Sequence, residues 1–153
     1  MLYLVRHAKA GDRAAWKGDD RLRPLSKEGR RQADSLARRL ARLTEGHIVS
    51  SPYERCLQTV HPLSSVLRLA VLEDDRLGEG ASFEGALALL GEVPEGSVLC
   101  SHGDVIPDTI AALQRRGCTI VGEPEWRKAS IWVLQRDPTG GVTEATAWPP
   151  PEP

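Results

Sequence analysis

The chain has 153 residues, the usual size of one compact domain. A hydrophobic fraction of 41% and a charged fraction of 27% are those of a globular protein that can bury a core without disulfide or metal staples. The formal net charge of -1, from 20 basic and 21 acidic residues, leaves no global field to draw the chain to a nucleic acid polymer or a membrane, so any anion binding must come from local placement of charge.

The apolar start, Met1–Val5, is shorter than the hydrophobic region of a signal peptide and lacks a basic flank. Leu2–Val5 reads as a buried strand. After a loop of mixed charge from Lys9 to Pro24, Ser26 is placed to cap a helix. Its apolar positions Ala33, Leu36, Ala37, Leu40 and Leu43 recur at helical spacing before Gly46 ends it. His47–Ser50 reads as a second strand. Ser51-Pro52-Tyr53-Glu54 has the pattern of a capped helix start, with Leu57, Val60, Leu63 and Leu67 inward and Pro62 bending or interrupting the helix. Leu69–Leu72 suggests a third strand, and Ser82 a short capped helix through Ala86, Leu87 and Leu90. Ser97–Ser101 is strand-like, and a helix from about Asp104 to Gly117 follows it. Ser130–Gln135 and Val142–Thr146 form a closing pair of strands around a Pro-Gly turn. Cys56, Cys100 and Cys118 are odd in number and lack paired spacing, which predicts free thiols, buried or partly buried, in a reducing, cytoplasmic setting.

Strands alternating with helices predict an α/β fold of three layers, with a mostly parallel sheet between helices on both faces. The expected organisation is a single domain over residues 1–147, with a proline-rich tail over residues 148–153. In such sheets ligands bind outside the carboxyl ends of the strands. Two of the buried-looking strands run straight into a histidine there, Arg6-His7 after the first and His102-Gly103 after Ser97–Ser101. Arg55 lies in the first turn of a helix that follows another strand. Each piece alone has an ordinary structural explanation, but together they fall on one edge of the sheet.

Two arginines and two imidazoles at one edge suit phosphoryl transfer, which is largely positioning and electrostatic stabilisation. Guanidinium binds phosphate at two points. A histidine whose one ring nitrogen donates to a backbone carbonyl keeps the other free to attack phosphorus. A proton for the leaving oxygen can come from Glu79, just beyond the third strand, with Glu73, Asp74 and Asp75 as rivals.

At these residues the chain resembles the histidine phosphatase superfamily, the group that includes phosphoglycerate mutases and phosphohistidine phosphatases. Leu4-Val5-Arg6-His7-Ala8 is similar to its N-terminal signature, and the stretch from Arg23 to Ala33 to the opening of its first helix. Ser51–Thr59 is similar to its second arginine motif, and Ser101–Ile106 to its second histidine motif. The resemblance runs from Leu2 to about Leu134. It implies His7 as phosphate acceptor, Arg6, Arg55 and His102 as the phosphate pocket, and neither metal nor cofactor. Compact length and a short Glu73–Gly96 connection place the chain nearer the small, SixA-like branch than the mutases, which need room to exclude water. Lys128–Leu134 also resembles the phosphatase half of actinobacterial Nudix fusion proteins, although no Nudix motif occurs in this sequence.

The expected activity is hydrolysis of phosphate monoesters or related phosphorylated compounds through a phosphohistidine on His7. The substrate is a small metabolite or nucleotide, or alternatively a phosphohistidine on a protein, with phosphate ion as product or inhibitor. A carboxylate at Glu79, which some small-branch members lack, favours a phosphoester. A phosphate-binding regulatory domain without turnover is a separate class of reading. The Lys9–Arg23 loop is either solvated or a rim for further phosphates, with Lys9 and Arg23 as its contacts; Trp16 and Trp126 either pack or stack on a base.

Overall fold

The computed structural model describes residues 1–152. Strand β1 (Leu2–Arg6) alternates in two directions, with Leu2 and Leu4 entering one hydrophobic cluster and Tyr3 and Val5 entering another. Strand β4 (Val98–Ser101) repeats the division, Leu99 on the first side and Val98 and Cys100 on the second. A strand apolar on both faces must be covered on both. Helices α1 (Lys27–Leu40) and α2 (Glu54–Leu67) cover one face with Leu36, Leu40, Val60 and Leu63. Helices α3 (Phe83–Glu92) and α4 (Val105–Arg115) cover the other with Leu89, Leu90, Ile110 and Leu113. The three layers are those the sequence predicts.

The remaining strands are β2 (Ile48–Ser50), β3 (Val71–Glu73), β5 (Thr119–Val121), β6 (Ile131–Arg136) and β7 (Val142–Trp148). The seven strands form one sheet in the order β3-β2-β4-β1-β6-β7-β5. Only β6 runs antiparallel to its neighbours, so the sheet is mostly parallel. From β1 the chain crosses to β2 on one side; from β4 it crosses to β5 at the far edge on the other. The carboxyl ends of β1 and β4 therefore sit where the strand order reverses. Among the described residues no helix is long and apolar enough to cross a membrane.

Several local expectations shift. Ser26 caps α1 as expected, its hydroxyl accepting from the Gly29 N–H, but the helix ends at Leu40 and leaves Leu43 in the following turn. Ser51 does not cap α2: the helix starts at Glu54 with Tyr53 at its cap position, and the serine hydroxyl is diverted to His102. Pro62 lies within α2 and does not end it; the helix continues to Leu67 and stops at Arg68, whose φ is 55°. Strand β5 is not anticipated at all, because three residues at an edge are too few to show a period.

Candidate active site

The register of the parallel strands assembles the site. Arg6 pairs with Ser101, so the next residue on each strand, His7 and His102, leaves the sheet beside the other. Their rings meet edge to face with centroids 5.3 Å apart. On the other side of β4, Ser50 pairs with Cys100, which delivers Ser51 to the same edge.

His7 is almost fully buried. Its Nδ1 lies 2.7 Å from the Ala8 carbonyl oxygen, to which it donates its proton, leaving the Nε2 lone pair free. Burial lowers the imidazole pKa to about 3; the Ala8 bond opposes this, while His102, Arg55 and Arg6 push in the same direction as burial. His7 is therefore held neutral, in the state a nucleophile needs. The backbone beyond it is fixed from both helices of that face. The Ala8 N–H donates to Thr59 Oγ1, the Lys9 N–H donates to Gln32 Oε1, and the Lys9 carbonyl accepts from the Ser26 N–H. A Cβ at Gly29 would lie 1.9 Å from that carbonyl oxygen, so only glycine lets α1 approach the loop this closely.

His102 Nε2 is 2.8 Å from Ser51 Oγ and 3.5 Å from Cys56 Sγ, and the Tyr53 ring packs edge-on at 4.8 Å. Cys56, Cys100 and Cys118 are free and buried. The Arg55 guanidinium is fully buried against the Tyr53 ring at 4.9 Å. Its Nη1 donates to the Asp20 carbonyl at 2.9 Å, and its Nη2 donates to Asp20 Oδ2 at 3.1 Å and to Glu79 Oε2 at 3.0 Å. Arg6 Nη1 donates to the Trp126 carbonyl at 2.6 Å, and a Cβ on Gly103 would lie 2.7 Å from the Arg6 Cζ.

Among the described residues, four buried side-chain nitrogens have no hydrogen-bond partner, and three of them are Arg6 Nε, Arg55 Nε and His102 Nδ1. Buried polar atoms without partners are rare in folded proteins, and each calls for an explanation. These three fall on the residues read from the sequence as the phosphate pocket; the fourth, Trp132 Nε1, lies outside that set.

Of the carboxylates weighed as proton donor, Glu79 lines the cavity that opens in front of His7, whereas Asp74 is tied to Arg76. The Glu79 loop is pinned on either side: Ser101 Oγ donates to the Leu77 carbonyl, and the Gly80 N–H donates to Asp104 Oδ2. Both Glu79 oxygens accept from guanidinium groups, Oε2 from Arg55 and Oε1 from Arg13 at 2.7 Å.

The cavity measures about 600 Å³. Arg6, His7 and Glu79 reach its surface, while His102 and Arg55 lie buried behind it. Lys9 stands at the rim, exposed and paired with Glu28 at 2.8 Å. Arg23 also lines the cavity but is buried, its Nε on Asp20 Oδ1 and its Nη1 on the Gly11 carbonyl. Trp126 packs 5.1 Å from Trp132 and Trp16 donates to the Asp19 carbonyl; neither ring lines the cavity. Sequence reasoning assigns no site role to Ser51, which it reads as a helix cap, to Asp20, which bridges Arg23 and Arg55, or to Lys128, which lines the cavity. Nothing in the sequence near Asp20 distinguishes it from the other charges of its loop.

Comparison with known proteins agrees with this architecture. The family model described as histidine phosphatase superfamily (branch 1) matches residues 2–89, more than half of the chain. The 8-oxo-(d)GTP phosphatase of Mycolicibacterium smegmatis is 36% identical over 137 residues, which is 86% of this chain but 42% of that protein. The chain thus spans less than half the length of that relative. The protein histidine phosphatase SixA, solved with tungstate, superposes with a TM-score of 0.75 at 21% identity, covering 93% of this chain and 92% of that one. A mycobacterial glucosyl-3-phosphoglycerate phosphatase solved with VO3 gives 0.72 at 18% identity, covering 97% and 98%. With the first and last motifs brought side by side at one sheet edge by the register of β1 and β4, and the family model matching more than half of the chain, the chain belongs to the histidine phosphatase superfamily.

Proposed function

We propose that this chain hydrolyses phosphate monoesters or related phosphorylated compounds through a phosphoryl group carried on His7. The observation that carries the reading is the coincidence of a neutral histidine, one ring nitrogen fixed by Ala8, with three unpartnered buried nitrogens on Arg6, Arg55 and His102 around it. A phosphoryl group supplies acceptor oxygens for such donors, and preorganised donors stabilise charge as it spreads over those oxygens. In the first step the Nε2–P bond forms as the P–O bond to the leaving group breaks. In the second, water attacks phosphorus, the N–P bond breaks and orthophosphate departs.

Glu79 is the proton donor for an alkoxide leaving group. To donate, the carboxyl must release one of its two guanidinium partners, and Arg13 is the exposed and therefore weaker hold. That geometry also supports a second reading, a phosphohistidine on a protein, because a phosphoramidate leaving group needs less acid help. The likeness in fold to SixA points the same way.

Turnover of an aryl phosphate in excess chelator, wild type beside His7→Ala, tests the mechanism. Activity that survives chelation and disappears in the variant is expected. Equal activity in the variant would reject His7 as the acceptor. Binding of phosphate without turnover of any phosphorylated compound would leave a regulatory domain as the answer.

A further inference from the structure

A cavity of about 600 Å³ is far more than one phosphoryl group fills, and its size is that of sites for whole small molecules, about 300–1,000 Å³. Its cationic lining is uneven in how its charges are spent. Arg23 is committed to Asp20 and Gly11, Arg13 to Glu79, and Lys9 to the exposed Glu28. Lys128 alone among these has no ion pair and no side-chain hydrogen bond among the described residues. Burial lowers its pKa, and the charges that add to the effect are all cations: Arg6, Arg23, Lys9 and Arg13. Asp12, Glu79 and Asp104 also line the cavity, but none of them pairs with Lys128, so an anion bound beside it would meet an uncommitted ammonium group.

The backbone keeps Lys128 there. Ala129, the next residue, is fully buried with φ at 68°, a left-handed conformation that residues other than glycine rarely adopt. Its N–H is shared between the Arg6 and His7 carbonyls, each 3.2 Å away. The strained residue thus fastens the Lys128 segment directly to the strand end that bears the nucleophile, and strain of this kind gathers at functional sites. Beyond Lys9 and Lys128 a second depression of about 280 Å³, lined also by Gln32 and Arg127, shares both lysines as its wall. The two side chains therefore stand between the catalytic cavity and this outer depression.

We propose that Lys128, together with Lys9, forms a second anion subsite that seats the inner phosphate of an organic diphosphate while its terminal phosphoryl group is transferred to His7. This rests on the reading of His7 as phosphate acceptor. The bond between the terminal phosphorus and the bridging oxygen breaks as the Nε2–P bond forms, and the leaving group departs as a phosphate monoester that needs no proton from Glu79. Water then cleaves the N–P bond to give orthophosphate and a proton. The step agrees with a Glu79 whose oxygens are both occupied by arginines.

Kinetics and binding test it separately. We expect the ratio of kcat/KM for a nucleoside diphosphate to that for an aryl monophosphate to fall about tenfold in Lys128→Ala, equivalent to ~1.4 kcal/mol, through KM, with Lys128→Arg restoring most of it. A ratio that moves by less than about twofold would overturn the subsite. Thermal protection by inorganic pyrophosphate against orthophosphate needs no turnover. Wild type should be protected more by pyrophosphate, and the difference should collapse in Lys128→Ala. Equal protection of wild type by both anions removes the subsite even if the enzyme turns over monoesters. A pyrophosphate preference lost in Lys128→Ala, in a protein without turnover, upholds the subsite and rejects only the phosphoenzyme.

Discussion

The two sides of the cavity are built differently. His7, His102 and Arg55 sit at the ends of β1 and β4 and at the start of α2, nearly without solvent contact, each fixed by neighbours of the rigid sheet edge. Lys9, Arg13 and Lys128 are exposed, and the ion pairs of Lys9 and Arg13 with Glu28 and Glu79 face solvent. Buried donors whose orientation is paid for in folding need no reorganisation when charge develops on a phosphoryl group. Exposed charges in water contribute little to stability and act mainly on which ligands are attracted and held. The floor should therefore govern rate, and the rim should govern choice of substrate.

Arg55→Ala is the hardest test of that division. It removes a buried guanidinium whose Nη atoms hold Asp20 and Glu79 and whose Nε faces no partner. Turnover of an aryl phosphate should fall by roughly 10²–10³, and competitive inhibition by orthophosphate or vanadate should weaken with it. If inhibition by these anions is unchanged, Arg55 is a structural strut and not part of the floor.

Glu79→Gln examines the group on which floor and rim meet, since Glu79 touches Arg55 on one side and Arg13 on the other. The amide keeps the size and loses the proton. Alkyl phosphates should slow by about a hundredfold, with aryl phosphates slowed far less, because their leaving oxygen needs little protonation. Equal slowing of both would take Glu79 out of the acid role.

These residues differ in how legible they were. The gathering of His7, His102, Arg6 and Arg55 at one end of the sheet could be read because parallel strands present residues at their carboxyl ends and because each lies in a local motif. The three layers were readable for a related reason: β1 and β4 are apolar on both faces, and the alternation is visible in five or six residues. Asp20 was not readable, because its role depends on a one-turn helix folding back over Arg55 from 35 residues away. Ser51 was misread because a serine three residues before a helix satisfies a capping pattern, yet His102 competes for its hydroxyl and wins. Strand β5 and the left-handed Ala129 share a cause: both are fixed by tertiary partners, β7 for the one and the Arg6 and His7 carbonyls for the other, and leave no periodic mark in the chain.

The neutrality of His7 gives a smaller effect that appears in stability. Its pKa is about 3 in the folded chain, against about 6.5 for an imidazole in the unfolded one. Between these values the unfolded state binds the proton and the folded state does not. Stability therefore rises with pH across that window and is lost as pH falls, by up to ~1.4 kcal/mol per pH unit from this group. Urea denaturation of wild type and His7→Asn between pH 6.5 and 4 should show a shallower pH dependence in the variant; parallel curves would mean that the imidazole is not held neutral by the fold.

Arg13→Ala should do least to the fold and is the most informative about the rim. Arg13 is largely exposed, and its one ion pair, with Glu79, lies where water competes. Its loss should change unfolding free energy by less than ~1 kcal/mol. Yet it frees Glu79 Oε1, the oxygen that would have to let go if Glu79 is the proton donor proposed above. Turnover of alkyl phosphates should then rise, by about twofold for each ~0.4 kcal/mol that the ion pair contributed, while aryl phosphates change less. A fall for both substrates would mean that Arg13 reaches the phosphoryl group itself, and the boundary between floor and rim would have to be drawn one residue further out.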